Sequence, residues 1–157
     1  MADGICALRE AVGYEILPEN PPGHVYVGDL HLLDFFALVC ERADTGMLLD
    51  LAHLTIYQQS QGYELFDGLD QFPLDRVLEL HLAGGSWRGE GSKRYIEDSH
   101  APEVLPETWS LLNTCASRLS SLKAVVFECE RNSLDVCAPH LKKLRSKLGE
   151  LLGDQWK

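Results

Sequence analysis

The sequence lacks the features that mark membrane, secreted and nucleic-acid-binding proteins. No apolar run approaches the ~20 residues that cross a bilayer, and the start at Met1 has neither the basic nor the apolar segment of a secretory leader. The chain has 14 Lys and Arg residues against 24 Asp and Glu residues, a formal net charge of −10. Because binding to a phosphate backbone needs clustered basic side chains, nucleic acid is excluded as a partner. We therefore expect a cytoplasmic protein that binds neither membrane nor nucleic acid.

The cysteines are few, odd in number and never spaced as CxxC. Structural zinc and Fe–S sites use sets of closely spaced thiolates, and disulfide frameworks of secreted proteins use an even count. Neither pattern occurs among the five cysteines, which are Cys6, Cys40, Cys115, Cys129 and Cys137. This content agrees with a reducing cytoplasm and favours nitrogen and oxygen ligands for any metal site.

Four apolar segments of strand length alternate with longer segments of helical character. The predicted strands are residues 12–17, 47–51, 76–82 and 124–129. Strands that alternate with helices are typical of an α/β fold with a parallel sheet. A complete (β/α)8 barrel needs eight such units and about 250 residues. The 157 residues therefore predict a single domain, residues 1–157, that is TIM-barrel-like with about four βα units, a half barrel.

Helices and loops are predicted between these strands. Asp29 is predicted to cap a helix whose apolar stripe ends before a turn at residues 44–46, and Pro106 to open a helix that runs to about residue 119. We also expect a helical or irregular stretch through residue 57, a short helix at 65–69 and a last helix at 135–152. Gly84 and Gly85 are predicted to end the third strand. The polar residues 86–102 are predicted to be a long loop, and loops of that length in compact domains are often functional.

Metal-binding side chains cluster at or just after the ends of the predicted strands. In parallel α/β folds these carboxyl ends meet at the face that carries the active site. Mixed nitrogen and oxygen ligands suit iron, manganese or zinc. The seven candidate metal ligands are Glu19, Asp50, His53, His81, Asp98, His100 and Glu128. Of these, Asp50, His81 and Glu128 are also predicted to be catalytic.

Each candidate also has an ordinary structural interpretation when it is considered alone. Glu19 can cap a turn, His53 can be a loop histidine, and His81 can face the covering helices instead of the site. A buried carboxylate such as Asp50 is costly unless it is paired or bound to metal. The common position at strand ends, more than any single residue, favours a metal site.

Several short segments occur in the order found in one known enzyme family. The chain resembles the multinuclear non-haem iron-dependent oxidative enzymes, which include the methanobactin-biosynthesis oxidase, over roughly residues 10–130. The segments that carry the resemblance are Leu17-Pro18-Glu19-Asn20, Gly46-Met47-Leu48-Leu49-Asp50, Gln61-Gly62-Tyr63, Pro73-Leu74-Asp75-Arg76-Val77, His81-Leu82-Ala83-Gly84, Asp98-Ser99-His100, Pro102-Glu103-Val104 and Phe127-Glu128-Cys129.

The resemblance implies a TIM-type barrel that holds two or three iron ions. It places Glu19, Asp50, His81 and Glu128 around the central ions, and His53, Asp98 and His100 around a further one. Members use molecular oxygen to modify cysteine-containing ribosomal peptides, usually with a partner protein that presents the peptide. Two departures accompany the resemblance. His53 stands where the family commonly has Asn, and the chain corresponds only to the C-terminal half of the barrel, without two histidines of the other half.

Two other functions remain open at this point. One is a barrel enzyme of the sugar-isomerase or endonuclease type, which uses paired divalent metals other than iron. The other is a non-catalytic half barrel that serves as a subunit or scaffold. In either case the strands at 12–17 and 124–129 would form bare sheet edges. We therefore expect a homodimer or a second polypeptide that supplies the missing half.

Overall fold

The computed structural model describes residues 1–153, apart from the side chain of residue 92. Its helices are α1 (Ala2–Val12), α2 (Leu32–Ala43), α3 (Leu51–Gln61), α4 (Pro106–Cys115) and α5 (Leu134–Leu152). Its strands are β1 (Met47–Asp50), β2 (Val77–Arg88), β3 (Tyr95–Ala101) and β4 (Ala124–Glu128). Short 3-10 turns occur at Leu74–Arg76, Gly91–Lys93 and Ala116–Arg118. Among these residues, none of the helices is both long and apolar enough to cross a membrane.

The long strand β2 is the centre of an open four-stranded sheet. Its first half pairs in parallel with β1 on one side and with β4 on the other, and its second half forms an antiparallel hairpin with β3. The register places Asp50 beside His81, and His81 beside Val126. The prediction of an α/β fold with a parallel sheet and about four strands is confirmed, and the sheet is not closed.

The two faces of the parallel sheet have different surroundings. Leu49, Leu80 and Val125 occupy matching register positions on one face, where they pack into the main apolar core with the helices. Because side chains alternate along a strand, His81 and Val126 lie on the opposite face. Val126 is 37% exposed there. Within residues 1–153 the face that carries His81 is therefore left partly open.

The predicted strand at residues 12–17 is wrong. Val12 is the last residue of α1, and Gly13 ends that helix in the left-handed conformation at φ 72°. The chain then runs to Glu19, which makes a single isolated parallel bridge with Leu48 of β1. Pro18 has no N–H to donate, although its carbonyl accepts from Leu48 N at 3.1 Å. The segment that ends at Glu19 thus runs parallel to β1 at this point, but it does not form the continuous hydrogen bonds of a paired strand.

The predicted polar loop at residues 86–102 is also wrong, because most of it is the β2–β3 hairpin. Gly84 and Gly85 do not end β2; they lie in its middle. A Cβ at Gly84 would collide with the backbone oxygens of Ala101 and Glu103, so only glycine permits this close crossing. The predicted short helix at 65–69 is a series of turns. The helices predicted after Asp29, after Pro106 and over 135–152 are present, but the prediction that Asp29 caps the first of them is wrong, because the cap is His31, whose Nδ1 accepts from Leu33 N.

Candidate metal centre

Asp50 combines two structural positions, since it ends β1 and also caps α3. Its side chain is fully buried. The Oδ1 atom accepts a hydrogen bond from His53 N at 2.7 Å, the usual N-cap contact. The Oδ2 atom has no hydrogen-bond partner and lies 3.7 Å from His53 Nδ1. The strand-to-helix transition therefore fixes the carboxylate and leaves one buried oxygen free toward His53.

Asn20 fixes the segment that carries Glu19 against the end of β1. Its buried side-chain amide donates to Asp50 O at 2.9 Å and accepts from Asp50 N at 2.8 Å. A primary amide offers the same donor and acceptor as a peptide group, so this side chain takes the place of a neighbouring strand. The backbone oxygen of Asn20 also lies 2.8 Å from His53 Nδ1. Sequence analysis did not identify Asn20 as a site residue, and its position after Glu19 gives no signal of this role.

His81 projects from β2 between two carboxylates. Its Nε2 atom lies 2.9 Å from Glu79 Oε1, and its Nδ1 atom lies 3.2 Å from Glu128 Oε1 at the end of β4. The Nδ1 atom is buried and has no partner with hydrogen-bond geometry. Of the two orientations considered from the sequence, the structure has His81 facing away from the helix-covered core.

Asp98 and His100 lie on strand β3, in place of the loop that the sequence predicted. Asp98 Oδ2 lies 3.3 Å from His53 Nε2, and Asp98 Oδ1, which is buried without a hydrogen-bond partner, lies 3.5 Å from His100 Nε2. His100 has a left-handed backbone at φ 48°, a conformation that non-glycine residues seldom adopt. Asn132 supports this conformation by donating to His100 O at 3.0 Å.

The seven predicted residues form one connected cluster with two groups of ligand atoms. The atoms within each group lie within 4.8 Å of one another. One group is Glu19, Asp50 and His81, and the other is His53, Asp98 and His100. Glu128 adjoins both, since its Oε1 atom lies 3.2 Å from His81 Nδ1 and its Oε2 atom lies 3.7 Å from His100 Nε2. The structure thus brings all seven residues together, while their role as ligands stays a prediction.

Charge interactions within the cluster change the pKa values of its members. Burial raises the pKa of Glu19, and the negative charge of Asp50 adds to that effect against the opposing charge of His53. Burial would lower the pKa of His53, but the hydrogen bond with Asp98 and the charge of Asp50 together raise it to about 9. The hydrogen bond with His53 holds the pKa of Asp98 below its usual range, against the effect of burial. Without a cation this cluster therefore keeps protons that a metal ion would displace.

The cluster meets the chemical requirements of a divalent metal site. Asp50 Oδ2, His81 Nδ1 and Asp98 Oδ1 come from three different strands, and all three are buried without a hydrogen-bond partner. Buried polar atoms are usually paired, so these three atoms are positions at which a bound cation would supply the missing partner. The four carboxylates carry enough negative charge to neutralise two divalent cations. Imidazole and carboxylate ligands without thiolate fit iron, manganese or zinc.

Comparison with known proteins gives a family assignment that is independent of this geometry. The family model of the RiPP precursor modification enzyme MbnB/TglH/ChrH matches residues 1–149. A UPF0276 protein of Anaeromyxobacter sp. is 29% identical over 124 residues, which cover 78% of this chain and 42% of that protein. A UPF0276 protein of Acaryochloris marina is 29% identical over 139 residues, or 87% and 49% of the two chains. One from Caulobacter vibrioides is 28% identical over 124 residues, or 78% and 43%. The chain spans about half the length of the curated relatives it matches.

Proposed function

Since this chain belongs to the MbnB/TglH/ChrH family of RiPP precursor modification enzymes, we propose that it is an iron-dependent oxidative enzyme. It uses molecular oxygen to modify a cysteine-containing ribosomal peptide. The observation that carries this proposal is the pair of adjoining ligand groups with three buried orphan atoms. A purely structural ion-pair network usually satisfies its own hydrogen bonds, whereas this network leaves three buried atoms, on three strands, with charged neighbours at 3.2–3.7 Å but without a hydrogen bond.

Two iron ions fit the ligands that the described residues provide. The first would be held by Glu19, Asp50 and His81 and the second by His53, Asp98 and His100, and Glu128 lies between these two groups of residues. Ferrous iron with open coordination positions supplies the activation of oxygen that oxidative chemistry needs. The carboxyl ends of the parallel strands would hold the ions, and the Glu19 side chain, which is 40% exposed, leaves one side of the cluster accessible to a peptide. Asp50, His81 and Glu128 form the centre of this arrangement.

We also propose that the sheet is half of a TIM-type barrel. The segment at Glu19 and strands β1, β2 and β4 lie side by side in chain order, as successive strands of such a barrel do. The core helices cover one face, and the ligands lie at the carboxyl ends. The partly open face that carries His81 and the exposed Val126 corresponds to the interior of a closed barrel.

A second polypeptide is needed to cover the open face and the free edge of β4. Among the described residues β4 pairs only with β2, so its other edge presents unpaired backbone groups. We propose that a second copy of the chain or another half barrel occupies this edge, and that a separate partner protein presents the peptide. Light scattering of the purified chain over a range of concentrations tests the first part. A stable monomer of 17.6 kDa at every concentration would contradict it.

The function is tested by co-expressing the chain with the cysteine-containing peptide encoded nearest to it. We expect a change in peptide mass that requires iron and oxygen and disappears in His81→Ala. A matched control is His140→Ala, because His140 lies on α5 outside the cluster. A preference for manganese or zinc without oxygen uptake would instead indicate a sugar-isomerase or endonuclease type of enzyme.

A second candidate function follows from the open face of the sheet. A non-catalytic subunit would use that face to bind its partner and would tolerate loss of the ligands. Partner binding that survives replacement of all seven candidate ligands, with no peptide modification by the wild-type chain in the assembled complex, would establish this function in place of the first.

A further inference from the structure

Each of the three histidines of the cluster has one ring nitrogen within hydrogen-bond distance of an acceptor outside the seven predicted residues, although at His53 the same nitrogen also lies 3.4 Å from Glu19 Oε1. The outer acceptors are Glu79 for His81, Glu130 for His100 and the backbone oxygen of Asn20 for His53. The distances are 2.9 Å, 2.8 Å and 2.8 Å respectively. Histidines bound to metal ions are characteristically held in this way, with the second ring N–H donated to a carboxylate or a carbonyl.

We propose that Glu79 and Glu130 are positioning residues, one for each of the two metal ions. Glu79 orients His81 toward the ion of the Glu19 group, and Glu130 orients His100 toward the ion of the His53 group. This inference rests on the proposed function, because it presupposes that the two groups bind metal.

The geometry at His81 shows why Glu79 is an orienting residue and not another ligand. Glu79 precedes His81 by two positions on β2, on the same face and about 7 Å toward the amino end of the strand. The other cluster residues lie at the carboxyl end. A carboxylate accepts hydrogen bonds, so the 2.9 Å contact with Glu79 favours the tautomer that carries its proton on Nε2. The lone pair of the neutral ring is then on Nδ1, the buried atom that faces Glu128 and has no hydrogen-bond partner.

The arrangement at His100 repeats this pattern with a more exposed carboxylate. Both oxygens of Glu130 lie within 2.9 Å of His100 Nδ1, which leaves Nε2 toward Asp98 and Glu128. The Glu130 side chain is 61% exposed, whereas that of Glu79 is 31% exposed. Water can replace an exposed acceptor more readily than a half-buried one. Loss of Glu79 should therefore lower the affinity for its ion more than loss of Glu130 lowers the affinity for the other ion.

Anaerobic titration of the metal-free full chain with Co(II), followed by visible absorption, tests the inference without any activity assay. We expect the wild type to bind two ions. Glu79→Ala should lower the affinity for one ion by about 10–100-fold and change its absorption bands, while the other ion is unaffected. Glu130→Ala should lower the affinity for the other ion by a smaller factor. Glu97→Ala is the matched control, since Glu97 lies on β3 and pairs with Arg88 outside the cluster, and it should change neither affinity.

The outcomes separate this inference from the proposed function. A wild type that binds no Co(II) overturns both. Two bound ions with unchanged affinities in Glu79→Ala overturn only the inference, and complete loss of one ion in that variant means that Glu79 is itself a ligand. Glu79→Gln keeps the shape of the side chain and serves if the alanine variant fails to fold. Because the glutamine amide oxygen can still accept from Nε2, Glu79→Leu, which fills the space without an acceptor, separates the two roles. Wild-type affinity and absorption in Glu79→Leu would show that residue 79 only fills space, which contradicts the inference.

Discussion

Replacing Asn20 with alanine should strongly destabilise the metal-free protein, although Asn20 carries no charge and is not a predicted ligand. The change removes two buried hydrogen bonds and leaves the backbone N–H of Asp50 without a partner, whereas the Asp50 C=O, at the N-cap, keeps the first hydrogen bond of α3. An unsatisfied buried group costs about 1–3 kcal/mol and the loss of the other hydrogen bond about 0.5–1.5 kcal/mol, so the total is about 1.5–4.5 kcal/mol. Total stability is about 5–15 kcal/mol for an ordinary domain. The melting temperature should accordingly fall by roughly 3–18 °C, at about 2–4 °C per kcal/mol for a chain of this length.

Urea denaturation of the metal-free chain, followed by circular dichroism, measures this loss directly. Asn113→Ala is the matched control, because Asn113 is exposed on α4, and it should change the unfolding free energy by less than about 0.5 kcal/mol. Asn20→Asp keeps the acceptor for Asp50 N but loses the donor to Asp50 O, and it adds a negative charge near Glu19. It should be at least as destabilising as the alanine variant. An Asn20→Ala variant within about 0.5 kcal/mol of wild type would refute the reasoning that this amide replaces a strand.

Three further predictions concern the site, the hairpin and the core. Asp50→Asn keeps the cap acceptor for His53 N, and asparagine caps a helix as well as aspartate does. The unfolding free energy of the metal-free chain should therefore change by less than about 1 kcal/mol, while metal affinity falls more than tenfold. Gly84→Ala should destabilise the chain by about 1–3 kcal/mol in urea denaturation because its Cβ meets the backbone of β3 and the residues after it; Gly4→Ala, at an exposed helical position with open space around it, should stabilise it by about 0.5–1 kcal/mol. Burial raises the pKa of Cys40 to about 11 and that of Cys115 to about 12. Both thiols should therefore react with iodoacetamide near neutral pH only after unfolding. Rapid labelling of either thiol in the folded chain would contradict their burial.

The elements that sequence analysis predicted well are those with a clear apolar pattern. The stripe of α2 packs into the core, and β4 is short, apolar and flanked by clear helices. The hairpin strand β3 was missed because only Ile96 among its residues is fully buried. A strand whose stability comes from backbone pairing with β2 leaves almost no hydrophobic signal. The segment at 12–17 gave the opposite error. Val12 ends a helix, Tyr14 is exposed, and Ile16 packs against α1 and α2, so the apolar alternation does not reflect a strand.

The composition of the candidate site was easier to predict than its support. Glu19, Asp50, His81 and Glu128 could be grouped because residues at the ends of parallel strands meet at one edge. The residues that hold them, Asn20 among them, act through contacts between distant parts of the chain. Asn20 and Asp50 are 30 positions apart, as are His100 and Glu130. The order of residues in a single sequence does not encode such distances.

The measurement that tests the account most directly is the iron content of the chain after anaerobic loading with ferrous iron and removal of excess metal. Elemental analysis should find about two iron ions per wild-type chain, as the two ligand groups require. Asp50→Asn and His81→Ala should each hold about one ion fewer while remaining folded, and His140→Ala should match the wild type. Less than about one iron per chain, with no difference among these variants, would contradict the assignment of this cluster as a metal centre.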